Sequence, residues 1–198
     1  MAIPTAKAVQ PRADRRLELP ALLADLAADG LVPKEAADEL AANRRFARGD
    51  THPLVVIADQ KWKDPRQPRK LLHLEALTQW LAEKVDLPYL HIDPFKIDFA
   101  VVTKTMSSAY AERYRILPVA INTREVTIAV CEPYLREWEE QIRQVTRLEV
   151  KRVIATPLDI QSYLVEFYSL ARSIKGASAK DKGAITDIAN FEQLVQLG

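Results

Sequence analysis

Two β-rich runs, Ile116 to Ile121 and Val126 to Val130, are separated by a short polar stretch that includes Asn122, Thr123 and Arg124, and no other stretch of the chain narrows its fold as tightly. Aliphatic and β-branched residues on both sides of a short polar turn predict an antiparallel hairpin. Glu132 and Pro133 stop the second run. Leu135, Trp138, Ile142 and Val145 then recur at helical spacing, and Val150 to Ile154 reads as a third strand. Pro157 opens a helix carrying Ile160, Tyr163, Leu164 and Phe167. With a helix around Ser107 to Tyr114 before the hairpin, the order is helix, strand, strand, helix, strand, helix. That order predicts an α+β fold in which a small three-stranded sheet packs with helices.

Upstream the periodicity is helical. Leu22, Leu23, Leu26 and Ala27 share one face, and Gly30 supplies a C-cap. Pro33 and Glu35 open a second helix with Ala36, Ala37, Leu40 and Ala41 on one side, completing a helical hairpin. Leu54 to Ile57 fits a strand or a buried helical turn equally. Lys61 to Lys70 holds Asp64, Pro65, Pro68 and the basic residues Lys61, Lys63, Arg66, Arg69 and Lys70, and reads as an exposed loop. Leu71, Leu74, Leu77, Trp80, Leu81 and Val85 mark an amphipathic helix that should end near Asp86, before Pro88. The expected organisation is a flexible tail over 1–18, a mainly helical subdomain over 19–93, an α+β domain over 94–172, and a linker over 173–198. Gly176 to Gly183 has linker composition, and Phe191, Leu194, Val195 and Leu197 form a short apolar stripe beyond it.

Composition narrows the function classes. With 48% hydrophobic and 28% charged residues the chain can build a core, and a formal net charge of +1 gives no overall field toward nucleic acid. The single cysteine, Cys131, excludes an internal disulfide and fits a reducing, cytoplasmic setting; a buried small hydrophobe is its expected role. Basic residues near the start, Lys7, Arg12, Arg15 and Arg16, are followed by no apolar signal core, and no run reaches the roughly 20 apolar residues of a membrane span. His52, His73 and His91 lack metal-ligand spacing, so they are expected to be surface or half-buried. No glycine-rich phosphate loop of the Walker kind occurs, so the chain itself should hydrolyse no ATP. Arg136, Glu137, Glu139, Glu140 and Arg143 read as the wet face of a helix, and Tyr110, Tyr114 and Trp138 as core. Trp62, Arg66 and Arg69 in the basic loop could pair with a phosphate-bearing ligand or acidic lipid, against the plainer reading of a solvated connector.

The stretch from Tyr114 through Leu117, Pro118 and Val119, then Val126 to Glu132 and Pro133, resembles a block of the general secretion pathway E proteins. In that family a helix leads to an "lPl" strand, a strand ending in "DP", a helix, a strand and an "I-x-x-x-I-x-x-x-Y" helix; here the last reads Ile160, Leu164 and Tyr168. Leu87, Pro88, Tyr89 and Leu90 resemble the "lPyv" segment preceding the block. The resemblance is to the N-terminal domain of type II secretion and type IV pilus assembly ATPases. It implies a noncatalytic docking and regulatory domain that positions a motor on an inner-membrane platform protein, peripheral to that membrane. ATP and Mg would belong only to a C-terminal ATPase domain, the other expected partner. Within one subgroup such domains bind cyclic di-GMP through tandem motifs, which implies a second function, an anion sensor. Aligning Gly30 with the motif glycine matches Leu22, Leu26, Leu31 and Leu40, but places Ala21 at the arginine and Arg44 at the final glutamine. In the second copy His52, Pro53 and Leu54 replace Arg-Leu-Gly.

Overall fold

The computed structural model describes residues 14–43, 46 and 50–174. Helix α1, Leu19–Ala28, carries Pro20 in its first turn and buries Leu22, Leu23 and Leu26. It ends in a left-handed Gly30 (φ 71), where Leu31 N donates to Leu26 O at 2.9 Å and Gly30 N to Ala27 O at 3.1 Å. These two bonds satisfy carbonyls that a helix end otherwise strands, and glycine takes the positive φ without a Cβ clash. Helix α2, Lys34–Ala42, returns across it and buries Ala37 and Leu40. Helix α3, Pro53–Ala58, settles the ambiguity at Leu54 to Ile57: Pro53 presets the first turn and the His52 side chain caps Leu54 N.

The expected loop at Lys61 to Lys70 is instead a small antiparallel hairpin, β1, Lys63–Asp64, with β2, Gln67–Leu71. Its turn is built by Asp64, whose Oδ1 accepts from Arg66 N at 2.9 Å, the local bond that lets aspartate reverse a chain. Helix α4, Leu74–Lys84, is capped by His73 and so begins later than its apolar stripe suggested, leaving Leu71 on the hairpin and 47% exposed. Trp80 Nε1 and Lys84 Nζ both donate to Asp29, at 2.9 and 2.8 Å, fixing α4 to the α1–α2 turn. Leu23, Leu26, Leu54, Ile57, Leu77 and Leu81 fill this first core.

The second core draws on residues from Ala82 onward. Pro88 O and Leu90 N bond both backbone groups of Ile154, laying residues 88–90 beside the sheet. Helix α5, Phe99–Thr105, had no counterpart in the periodicity; α6, Ser108–Tyr114, lies where a helix was expected and is capped by Ser107. Strands β3, Ile116–Ile121, and β4, Glu125–Val130, pair antiparallel around Asn122, whose Oδ1 accepts from Arg124 N and Glu125 N. Helix α7, Glu137–Thr146, crosses over to β5, Glu149–Ile154, which runs parallel to β4 in the sheet order β3-β4-β5. A last helix, α8, covers residues 157–174 and buries Ile160, Leu164, Phe167 and Tyr168, the tyrosine donating to Met106 O at 2.7 Å. The fold is α+β.

Three local expectations are corrected. Val145 is 76% exposed, off the face of α7 on which Trp138, Glu139 and Ile142 are buried. Glu139 belongs to no wet face: it is buried between Arg136 and Arg152. Residues 14–18, read as tail, are held in place. Leu17 is buried, Arg16 donates to Arg113 O at 3.0 Å, and the Arg15 guanidinium lies 4.8 Å above the Tyr134 ring.

Candidate functional site

The two cores meet at a buried polar junction. From the first side comes His52, 5% exposed, set by its place as the cap of α3. From the second comes Glu132, 3% exposed, delivered by the end of β4. Arg115, left-handed at φ 53 where α6 turns into β3, completes it. Glu132 Oε2 accepts from Leu17 N at 2.7 Å, while Oε1 lies 3.7 Å from His52 Nε2 and 3.6 Å from Arg115 Nη1. Arg115 Nη2 also donates to Asp50 O at 3.1 Å. Four separate chain segments therefore converge on one carboxylate.

The hydrogen bonds fix the imidazole's tautomer. Nδ1 accepts from Leu54 N and Nε2 lies 3.2 Å from Cys131 O, so the ring is neutral with its proton on Nε2. Charging it would put a proton where the α3 cap needs a lone pair. Burial accordingly pulls His52 down to about 4, helped by the Arg115 and Arg16 charges and opposed by the Cys131 bond. Burial raises Glu132, against the pull of Leu17 N, Arg115 and Arg16. The Cys131 thiol is also pushed well up by burial, so it carries too little thiolate to act as a nucleophile.

Two clefts flank Arg115. A cleft of about 660 Å³ is walled by His52, Val55, Glu112 and the α8 residues Leu158, Gln161 and Val165. The other, about 400 Å³, lies between Arg16, Phe46, Pro53, Arg115 and Glu132. Leu158 is 47% and Val165 62% exposed on the α8 wall.

The residues singled out from sequence do not converge on this junction. Leu22, Leu26 and Leu31 are buried in the first core; Gly30 is exposed at the α1–α2 turn. Trp62 is half-buried against the same core, Arg66 pairs with Asp64, and Arg69 is exposed on β2. Arg44 lies outside the described residues. Sequence reasoning passed over His52, Arg115 and Glu132. The available signals were the His-Pro pair opening α3, read only as a departure from the tandem motif, and the Glu-Pro pair ending β4, read only as a strand stop. Contrary to expectation, His52 is neither a surface nor a half-buried histidine, because capping α3 places it between the two cores.

The sequence is similar to the N-terminal domains of pilus assembly ATPases. Residues 85–174 match the family model of the MshEN domain. The type IV pilus assembly ATPase TfpB of Acinetobacter baylyi is 35% identical over 151 residues, which are 74% of this chain and 25% of that protein. The chain thus spans about a quarter of the length of the curated relative it matches. A solved structure of MshE with cdg aligns over 77% of this chain and 100% of that chain at 16% identity, with a TM-score of 0.49. The N-terminal domain of XpsE aligns over 77% and 97% at 14% identity, with a TM-score of 0.47. Among the described residues no helix is long and apolar enough to cross a membrane.

Proposed function

We propose that this chain is a noncatalytic docking and regulatory domain of a secretion or pilus ATPase. It works at the cytoplasmic face of the inner membrane, holding a C-terminal ATPase motor against a platform protein. The observation that carries this reading is the 660 Å³ cleft, whose α8 wall presents Leu158 and Val165 to solvent beside the polar rim of Arg115 and Glu112. An exposed apolar strip bordered by polar groups has the make-up of a protein interface. The junction contributes to the cleft directly, because His52 and Arg115 line it together with residues of α3 and α8.

The test is retention of the platform protein's cytoplasmic domain by the 198-residue chain. Replacing both exposed residues, Leu158→Asp with Val165→Asp, should weaken binding at least about tenfold while leaving the unfolding midpoint unchanged. Undiminished binding by the double variant would overturn the reading. Gly30, left-handed with open space around it, favours a second reading in which cyclic di-GMP sits on the α1–α2 hairpin. Saturable heat on titrating the chain with cyclic di-GMP would establish that sensor, and a flat titration removes it.

A further inference from the structure

The β1–β2 hairpin concentrates charge that the rest of the chain balances. Overall, 28 basic residues face 27 acidic ones, yet Lys61, Lys63, Arg66, Arg69 and Lys70 are opposed within their own stretch by Asp64 alone. That carboxylate is 3% exposed and is spent locally, accepting from Arg66 N at 2.9 Å and Nε at 3.2 Å. Those bonds override the effect of burial and hold Asp64 below the usual carboxylate range, so it stays charged and keeps the turn closed. All five cations are exposed, and among the described residues no ion pair engages Lys61, Lys63, Arg69 or Lys70.

The hairpin's geometry selects the kind of partner. Its base is fixed by Leu72 N donating to Trp62 O at 2.6 Å and by Trp62 resting on the first core. Beyond that base every residue of β2 is exposed. Alternation along β2 sends Arg69 and Lys70 to opposite faces, with Arg66 in the turn, so positive charge surrounds the ribbon rather than lining a pocket. Pro68 lacks an N–H and Lys70 follows it, which makes the edge a poor template for an added strand. Apart from Leu71 the hairpin offers no exposed large apolar residue, whereas a protein interface needs an apolar centre depleted in lysine.

We propose that this hairpin is an electrostatic foot that rests on an anionic phospholipid surface. Diffuse negative charge spread over a plane suits cations pointing in several directions, and each lysine or arginine near such a surface contributes about 1 kcal/mol. This contact uses neither the α8 wall nor a protein partner, so it stands or falls separately from the docking reading. The hairpin binds headgroups without insertion.

The experiment is flotation of the 198-residue chain with vesicles of equal parts phosphatidylglycerol and phosphatidylcholine, against pure phosphatidylcholine. Binding should require phosphatidylglycerol and weaken as salt is raised. The triple variant Lys63→Glu, Arg69→Glu, Lys70→Glu should lose at least about tenfold in vesicle affinity with its unfolding midpoint kept. If these charges serve only to guard a strand edge, glutamates guard it equally and the variant floats like the parent, which overturns the proposal. Displacement by millimolar inorganic phosphate would also overturn it, showing a single-phosphate site. Failure of the parent to float would do the same, leaving an acidic protein surface as the hairpin's partner.

Discussion

Glu132 and Glu139 are both buried acids of the second half of the chain, and they are held in opposite ways. Glu139 sits on α7 with Arg136 Nε and Nη2 bonded to its two oxygens at 2.8 and 2.9 Å, and Arg152 Nε 3.0 Å from Oε1. Arg152 in turn donates to Pro133 O at 2.8 Å, so β5, α7 and the end of β4 are joined through one carboxylate. Glu132 has one short bond, from a backbone amide, while the neutral His52 ring and the Arg115 guanidinium stand beyond hydrogen-bond distance. A buried charge with full partners is a fastening, whereas one with partial partners is a strained contact retained at some cost. The first kind lies inside one core. The second lies between two cores, where a regulated domain would need its halves to part.

The largest expected effect comes from breaking the fastening. Glu139→Gln leaves the half-buried Arg152 guanidinium without its anion and should cost about 3 kcal/mol, read from urea unfolding midpoints at constant slope. The double variant Glu139→Gln, Arg152→Met should recover much of that loss, because no unpaired charge remains. Equal losses in single and double variants would mean packing, not charge, holds α7 to β5.

Next in size is the pH response of the junction. His52 is held at about 4 against its ordinary value of 6.5, so the unfolded chain takes up a proton that the folded chain refuses. Its contribution to stability is complete above pH 6.5 and is lost as pH falls toward 4, by about 3 kcal/mol in all. Glu132, raised by burial, works with the opposite sign and offsets part of that loss. Stability measured down this range should flatten in His52→Gln and steepen in Glu132→Gln. Parallel slopes in both variants would break the assignment of the acid response to this pair.

The contrast also shows what the residues alone could disclose. The β3–β4 hairpin, the β5 strand and the apolar faces of α1, α4 and α8 were legible because each follows a local period or a local turn signal. Helix α5 and the β1–β2 hairpin were not, the latter because its proline and lysine content reads as loop until Asp64 is seen to close the turn. Glu139 looked solvated because helical spacing places it on a charged run, and only β5, delivering Arg152 from beyond the crossover, buries it. The junction was least legible of all. His52, Arg115 and Glu132 come from three distant segments, each with an adequate local role as cap, helix end or strand end, and no periodicity registers their meeting. For the same reason the leucines at Leu22, Leu26 and Leu31, chosen by motif alignment, turned out to be core.

The smallest effect tests the comparison most directly. In Glu132→Gln the amide oxygen can still accept from Leu17 N, while the charge that burial disfavours is removed. Arg115 loses a neighbour but keeps Asp50 O and remains 29% exposed, so water can solvate it. A raised folded pKa means that Glu132 contributes stability below its unfolded value and loses it as pH rises through the folded one. At neutral pH the variant should therefore be the more stable, by under about 1 kcal/mol, and the difference should vanish in acid, where the parent's carboxyl is itself neutral. A loss at neutral pH as large as that of Glu139→Gln would make the two acids alike. The junction would then be a rigid fastening, and any regulation through this domain would have to move its two cores as one body.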